Sequence, residues 1–232
     1  MSDQVLTPSP ALVNEACERF DRENQVVETA LADLFTQHPT NLDPSQVLLK
    51  IVALNTLYST RILAVLKVAR HIHELGAKLD EALAAGAPEA VDWIANVEID
   101  EKTLYYYSFA SMYCNWHKPD LYPTYELRVD KYLCFLKKRD VFHSDAFTTR
   151  EDLWSYPTFC NVVTAFRDEF GLGAFNFKQI DKFFWAQAQT ITTTESETYH
   201  QFLDSVPQIV LEPTQEQPAA TPQEQEQGAP TT

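Results

Sequence analysis

The chain predicts an all-α protein, a multi-helix orthogonal bundle followed by a disordered C-terminal tail. Three observations carry that prediction. Only five glycines occur in 232 residues, at 76, 86, 171, 173 and 228. Apolar residues repeat at helical rather than alternating spacing. Cap residues stand at the starts of several of those runs. The hydrophobic fraction of 45% is enough to fill one core, so residues 9–190 read as a single helical domain. From about Pro207 the composition turns to Gln, Pro, Glu, Thr and Ala. That segment, 207–232, has too little apolar mass to offset the entropy of ordering it.

The first helix covers about residues 10–36. Val13, Cys17, Phe20, Asn24, Val27, Leu31 and Leu34 recur at alternating intervals of four and three, a narrow seam with one polar interruption. Such a seam packs either across the domain's own core or against a second copy, as a homodimer through the 13–34 helix with Asn24 setting register. Asp43-Pro44 opens the next helix, a capping side chain followed by proline at the first helical position. The run from 45 to 75 is apolar enough to be central, and Asn55, Thr56, Ser59 and Thr60 mark a turn that divides it. After the turn, Ile62, Val65, Leu66, Ala69 and Ile72 form the predicted buried face, and Gly76 is expected to close the helix.

Residues 79–97 read as two short helices broken at Gly86-Ala87-Pro88. An aromatic helix over 103–117 holds Tyr105, Tyr106, Tyr107, Phe109, Tyr113 and Trp116, and a loop bounded by Pro119 and Pro123 leads to a helix over 124–138. Pro157 opens another, with Phe159, Val162, Val163, Phe166 and Phe170 on one face. Asn176 and Gln179 have capping-box spacing for a last helix to about 189. No strand pattern of useful length is present.

The net charge is −15. Seven acids and no Lys or Arg lie beyond residue 190, so the first 190 residues still carry a net −8. An acidic domain is not built for indiscriminate nucleic-acid binding, which needs local Lys and Arg at phosphates. No apolar run reaches the length of a membrane span, and the N-terminus MSDQVLTPSP has no basic or apolar signal region, so a cytoplasmic protein is expected. Cys17, Cys114, Cys134 and Cys160 have apolar neighbours and form no CxxC pair, which predicts buried free thiols. His71 and His73 are two apart on a helix and point to different sides, so neither a metal site nor a cofactor is expected.

The chemistry concentrates in 108–133, SFASMYCNWHKPDLYPTYELRVDKYL, where Glu126 stands among aromatics at a helix start. A carboxylate there is favoured by the helix dipole and the free amides, so a plain cap is one reading of it. A concentrated negative charge in an apolar pocket, suited to a cationic transition state, is the other. Tyr125, Arg128, His117 and Tyr122 are expected to line one concavity with Glu126. Lys137, Lys138 and Arg139 form a basic run at a helix C-terminus.

Two segments, ALNTLYSTRILAVLKVARHI and FASMYCNWHKPDLYPTYELRV, resemble parts of the helix-hairpin-helix DNA glycosylase superfamily. ALNTLYSTRILAVLKVARHI resembles the region such enzymes insert into the DNA minor groove, which implies that Asn55, Thr56 and Tyr58 lie beside the acid. FASMYCNWHKPDLYPTYELRV is similar to their catalytic-acid region, with Glu126 followed by Leu127, Arg128 and Val129 at the place of the acid. With FKQIDKFFWAQ the likeness covers about 130 residues, discontinuously. It implies a glycosylase-like fold, binding of DNA, and base removal assisted by Glu126, with a flipped nucleotide entering between these residues. Two features depart from the family. Residues 97–107, VEIDEKTLYYY, hold no glycine where a phosphate-gripping hairpin should be, and Ser108 stands near the place of the nucleophilic lysine of its lyase members. The chain also resembles a family of small bacterial proteins that share an SFAS…YP…RV core and have no established role. A non-enzymatic protein-interaction module on the same scaffold is the alternative, favoured by the acidic surface and the N-terminal seam. A ligand hydrolase using Glu126 ranks third, because no second catalytic group is evident in the sequence.

Overall fold

The computed structural model describes residues 7–194 of the chain, with side chains to residue 188. The expected tail, 207–232, lies outside the described residues. Among them the fold is all-α, with eight α-helices, a 3-10 turn over Glu151–Trp154 and one short β-hairpin.

Helix α1 (Pro10–Gln37) starts at Ser9, whose side chain accepts from the Leu12 amide. Its seam faces inward along the last helix, α8 (Phe177–Thr194), and this is the internal version of the two seam readings. Val13 and Leu31 are buried, Phe20 meets Trp185 edge-on at 5.1 Å, and the Cys17 thiol lies 3.6 Å from the Gln179 carbonyl. Asn24 turns back to donate to the Phe20 carbonyl of its own helix. Helix α8 carries the expected capping box, with Asn176 and Gln179 exchanging backbone-to-side-chain bonds of 2.9 Å.

Helix α2 (Pro44–Tyr58) is capped by Asp43 as the sequence predicts. It packs on α3 (Val65–Ala85). Two expectations are corrected here. Gly76 does not end α3. Its φ of +48° and ψ of −129° make a kink that a side chain would resist, and the helix resumes to Ala85. Leu66 is not on the buried face but 68% exposed, because α3 starts as late as Val65 and its inward face runs through Val68, Ala69 and Ile72.

After α4 (Glu89–Ala95) the chain forms strands β1 (Asn96–Ile99) and β2 (Lys102–Tyr105), paired antiparallel from Asn96↔Tyr105 to Ile99↔Lys102. The expectation of no strand is thus also corrected. The two-residue turn uses Asp100 and Glu101, both at positive φ, in a place where Asn-Gly or Gly-Gly would have announced a hairpin.

Helix α5 (Tyr107–His117) is the central rod, buried without interruption from Phe109 to Trp116. Helices α6 (Leu127–Lys138) and α7 (Tyr156–Glu169) complete the bundle, and α6 packs on α8. The loop between α6 and α7 is tied back by Arg150, whose Nε donates to the buried Asp130 at 2.7 Å. No helix among the described residues is long and apolar enough to cross a membrane.

Candidate functional site

The loop of residues 118–126 is held from beneath by polar side chains of α5. Asn115 donates to the Tyr122 carbonyl at 2.6 Å, and the Tyr125 amide donates to Ser111 Oγ at 3.0 Å. Tyr156 of α7 donates to the Pro123 carbonyl at 2.9 Å. Tyr122 reaches the other way, its hydroxyl donating to the carbonyls of Ala82 and Ala87. Ser111 and Asn115 are four apart and so share one helix face, which is how α5 satisfies the buried part of the loop, Tyr122 to Tyr125.

That anchored loop delivers Glu126. It occupies the N-cap position of α6 in extended conformation, yet its side chain makes no capping hydrogen bond. The carboxyl instead enters a cavity walled by Phe20 and Glu28 of α1, Tyr58 of α2, Met112, Asn115 and Trp116 of α5, and Lys178, Asp181 and Lys182 of α8, with Thr124 beside it. The volume is about 30 Å³. That is the space of one or two waters, so a larger ligand needs side chains to move.

The cavity is densely charged. Glu28 receives Lys178 and Lys182 at 3.3 Å each, and the Tyr58 hydroxyl donates to it at 3.3 Å. Lys182 also pairs with the more exposed Asp21. The Lys178 ammonium sits 3.2 Å above the centre of the Trp116 ring and so occupies the aromatic face on which a planar ligand would stack. Burial pushes the Glu126 carboxyl up, with Arg128 pulling it part of the way back. Burial, then the charge of Glu126, pushes Asp181 well above the usual carboxylate range. Burial lowers Lys178 despite the opposing pull of Glu28. Burial thus disfavours the charged form of both carboxyls that line the cavity, Asp181 more than Glu126.

Of the residues singled out from sequence, the structure brings Glu126 and Tyr58 together in this cavity. It sends the others elsewhere. Tyr122 and Tyr125 are buried, with Tyr125 stacked on Tyr107 at 4.2 Å and its hydroxyl donating to Asp130. The His117 ring lies against Phe35 and meets the Lys50 ammonium at 3.2 Å. Asn55 staples the α2–α3 turn, accepting from the Ile62 amide and donating to its carbonyl. Thr56 and Arg128 are exposed. Asp181, Lys178, Lys182 and Glu28 were missed. Their signal was legible in FKQIDKFF, where Lys178, Asp181 and Lys182 fall on one face of a helix otherwise bound for the core. Among the described residues no group of three or more His, Cys, Asp or Glu side chains is placed to hold a metal.

The raised carboxyl groups carry a stability prediction. A carboxyl held above its unfolded value keeps a proton in the folded state that the unfolded chain has released. Its contribution to stability is therefore fully present below about pH 4 and lost as pH rises through the folded value. Glu126→Gln and Asp181→Asn, which keep shape and remove charge, should each raise the unfolding free energy at pH 7 by on the order of 1 kcal/mol. The gain should vanish toward pH 4 in chemical denaturation, and variants less stable than the parent at pH 7 would make these carboxyls structural.

Comparison with known proteins finds a family model described as "HI_0787_N: N-terminal domain" that matches residues 12–121. A protein of Haemophilus influenzae described as "Uncharacterized protein" is 37% identical over 175 residues, covering 74% of this chain and 81% of that protein. No solved structure matches the chain.

Proposed function

The chain belongs to the bacterial family of that Haemophilus influenzae protein, and we propose that it acts as a glycosylase-like hydrolase on N-glycosidic bonds of nucleic acid. The observation that carries this reading is the uncapped Glu126, turned away from its own helix into an aromatic-walled cavity that Asp181 also lines. Asp181, the carboxyl pushed further up, is the proton donor to the leaving nitrogen. Glu126, pushed up by burial but pulled part of the way back by Arg128, faces the positive charge that develops on the sugar. Tyr58 and Trp116 supply the wall for a base once Lys178 leaves the indole face. DNA access rests on local rather than overall charge, since the domain as a whole is acidic.

The test is base release from duplexes and single strands carrying mismatched, deaminated, oxidised or alkylated bases, read by mass spectrometry. Wild-type protein should release at least one class. Glu126→Gln should lower the rate at least 100-fold while leaving binding intact. Absence of both release and binding across the whole panel, at low and high salt, overturns the proposal.

The non-catalytic interaction module has one observation in its favour. Leu49, Val52 and Leu57 of α2 and Leu63 and Leu66 beyond its end are all exposed, Leu63 at 93%. Under that reading a charged substitution at Leu63 abolishes function in the cell and Glu126→Gln leaves it intact.

A further inference from the structure

The cavity holds a group that base release does not use. Lys178 and Lys182 are one helical turn apart on α8 and share a single carboxylate, Glu28. Lys182 has a further acid in Asp21, whereas Lys178 has the Trp116 ring beneath its ammonium. A lysine that is desolvated and stands beside another cation is the arrangement that turns an ammonium into a nucleophilic amine. Burial lowers Lys178 against the pull of Glu28 and Asp181, with the neighbouring Lys182 adding to the lowering, while Lys182 itself is raised.

We propose that Lys178 is a carbonyl-capturing amine, forming an iminium with a small aldehyde that enters beside Glu126 and Asp181. Lys178 first gives a proton to Glu28, 3.3 Å away. Its nitrogen lone pair then attacks the carbonyl carbon, a C–N bond forms, and the carbonyl oxygen takes the proton of Asp181. The nitrogen gives a second proton to Glu126. Glu126 returns that proton to the hydroxyl, which leaves as water while the C=N bond forms. No oxidation or reduction occurs, and the net charge of the site is unchanged. The cationic iminium is left facing two carboxylates, which hold it in place. The chemistry needs no N-glycosidic substrate, so it stands or falls apart from base release.

Lys50 provides an internal comparison. It is fully buried, where the Lys178 side chain is 20% exposed, and it is lowered to about 8 by burial, but it lines no part of this cavity. Its ammonium is committed to the Thr40 carbonyl, the Asn41 side chain and His117. Desolvation alone would make Lys50 as reactive as Lys178. A built carbonyl site would make only Lys178 react.

The full-length protein is treated at pH 7 with limiting acetaldehyde and sodium cyanoborohydride, which reduces any iminium to a stable ethyl adduct. Peptide mapping then locates it. The expected result is modification at Lys178 ahead of every other lysine, the α-amino group set aside. Asp181→Asn should slow it about 100-fold by removing the acid. Lys178→Arg, checked for an unchanged melting curve, should leave no adduct in that peptide and no compensating one at Lys182. Modification spread over the exposed lysines with none preferred at Lys178, a preference for Lys50, or an undiminished rate in Asp181→Asn would overturn the proposal.

Discussion

Asp130→Ala is expected to lower the unfolding free energy by about 3–5 kcal/mol, measured by urea or guanidinium denaturation. Asp130 is fully buried in the first turn of α6. One carboxylate oxygen accepts from Arg150 Nε and the other from the Tyr125 hydroxyl, both at 2.7 Å. Removing it takes the acceptor from the buried Tyr125 hydroxyl and one partner from the Arg150 guanidinium. Arg150 remains 26% exposed, so part of its charge can turn to water and the loss should fall toward the lower end of the range. Asp130→Asn keeps the volume and one acceptor, and should cost less. The combined Asp130→Leu, Arg150→Met variant should recover most of the loss, because a buried ion pair gains little over an apolar pair of similar size. A single variant as stable as the parent would show that the clamp on the α6–α7 loop contributes nothing.

The other large effect is expected at Lys50. It is 0% exposed and ties the segment between α1 and α2 to α5, through Thr40, Asn41 and His117. Asn41, also 0% exposed, in turn donates to Asp80 of α3 at 2.8 Å and accepts from Tyr113 of α5. Lys50→Ala removes a donor from this network and opens space beside Phe35 and Tyr113, and should cost about 3–5 kcal/mol. Lys50→Met fills the space and should cost less.

The pH dependence has a definite sign. Burial lowers Lys50 to about 8 against an ordinary value of 10.5. Between those values the unfolded chain holds a proton that the folded protein has lost, so this group's contribution to stability rises with pH from about 8. The rise should be present in the wild type and absent from Lys50→Met when the two are compared over pH 8–10. Parallel pH profiles would mean that Lys50 is not lowered by its burial.

The starts of α1, α2 and α8 were legible because capping is local. Ser9-Pro10, Asp43-Pro44 and the Asn176–Gln179 pair satisfy free amides within three residues of themselves, so no distant segment can overrule them. The β-hairpin was not legible. Its strands are four residues each, its turn carries Asp100 and Glu101 in place of glycine or asparagine, and its pairing is secured by the helices around it. The kink at Gly76 reads in sequence as a helix end, because a positive φ at glycine serves both purposes.

The candidate site divides along the same line. Sequence placed Glu126 at the start of a helix among aromatics, and that position depends only on neighbours in the chain. Whether its carboxylate would cap the helix or leave it was decided by tertiary packing. Asn115, Ser111 and Tyr156 hold the loop, and α1 and α8 close the opposite wall of the cavity. The pairing of Glu126 with Asp181, and of Lys178 with Glu28, joins residues 55 to 150 positions apart. Such pairs leave no periodic trace, since local spacing records which face of a helix is buried but not which helix buries it. The all-α class and the starts of α1, α2 and α8 were therefore determined by the sequence alone, while the partner of the α1 seam was not. The chemistry of the cavity was decided by α8 packing on α1 and α6, which brings Lys178, Asp181, Glu28 and Glu126 to one place.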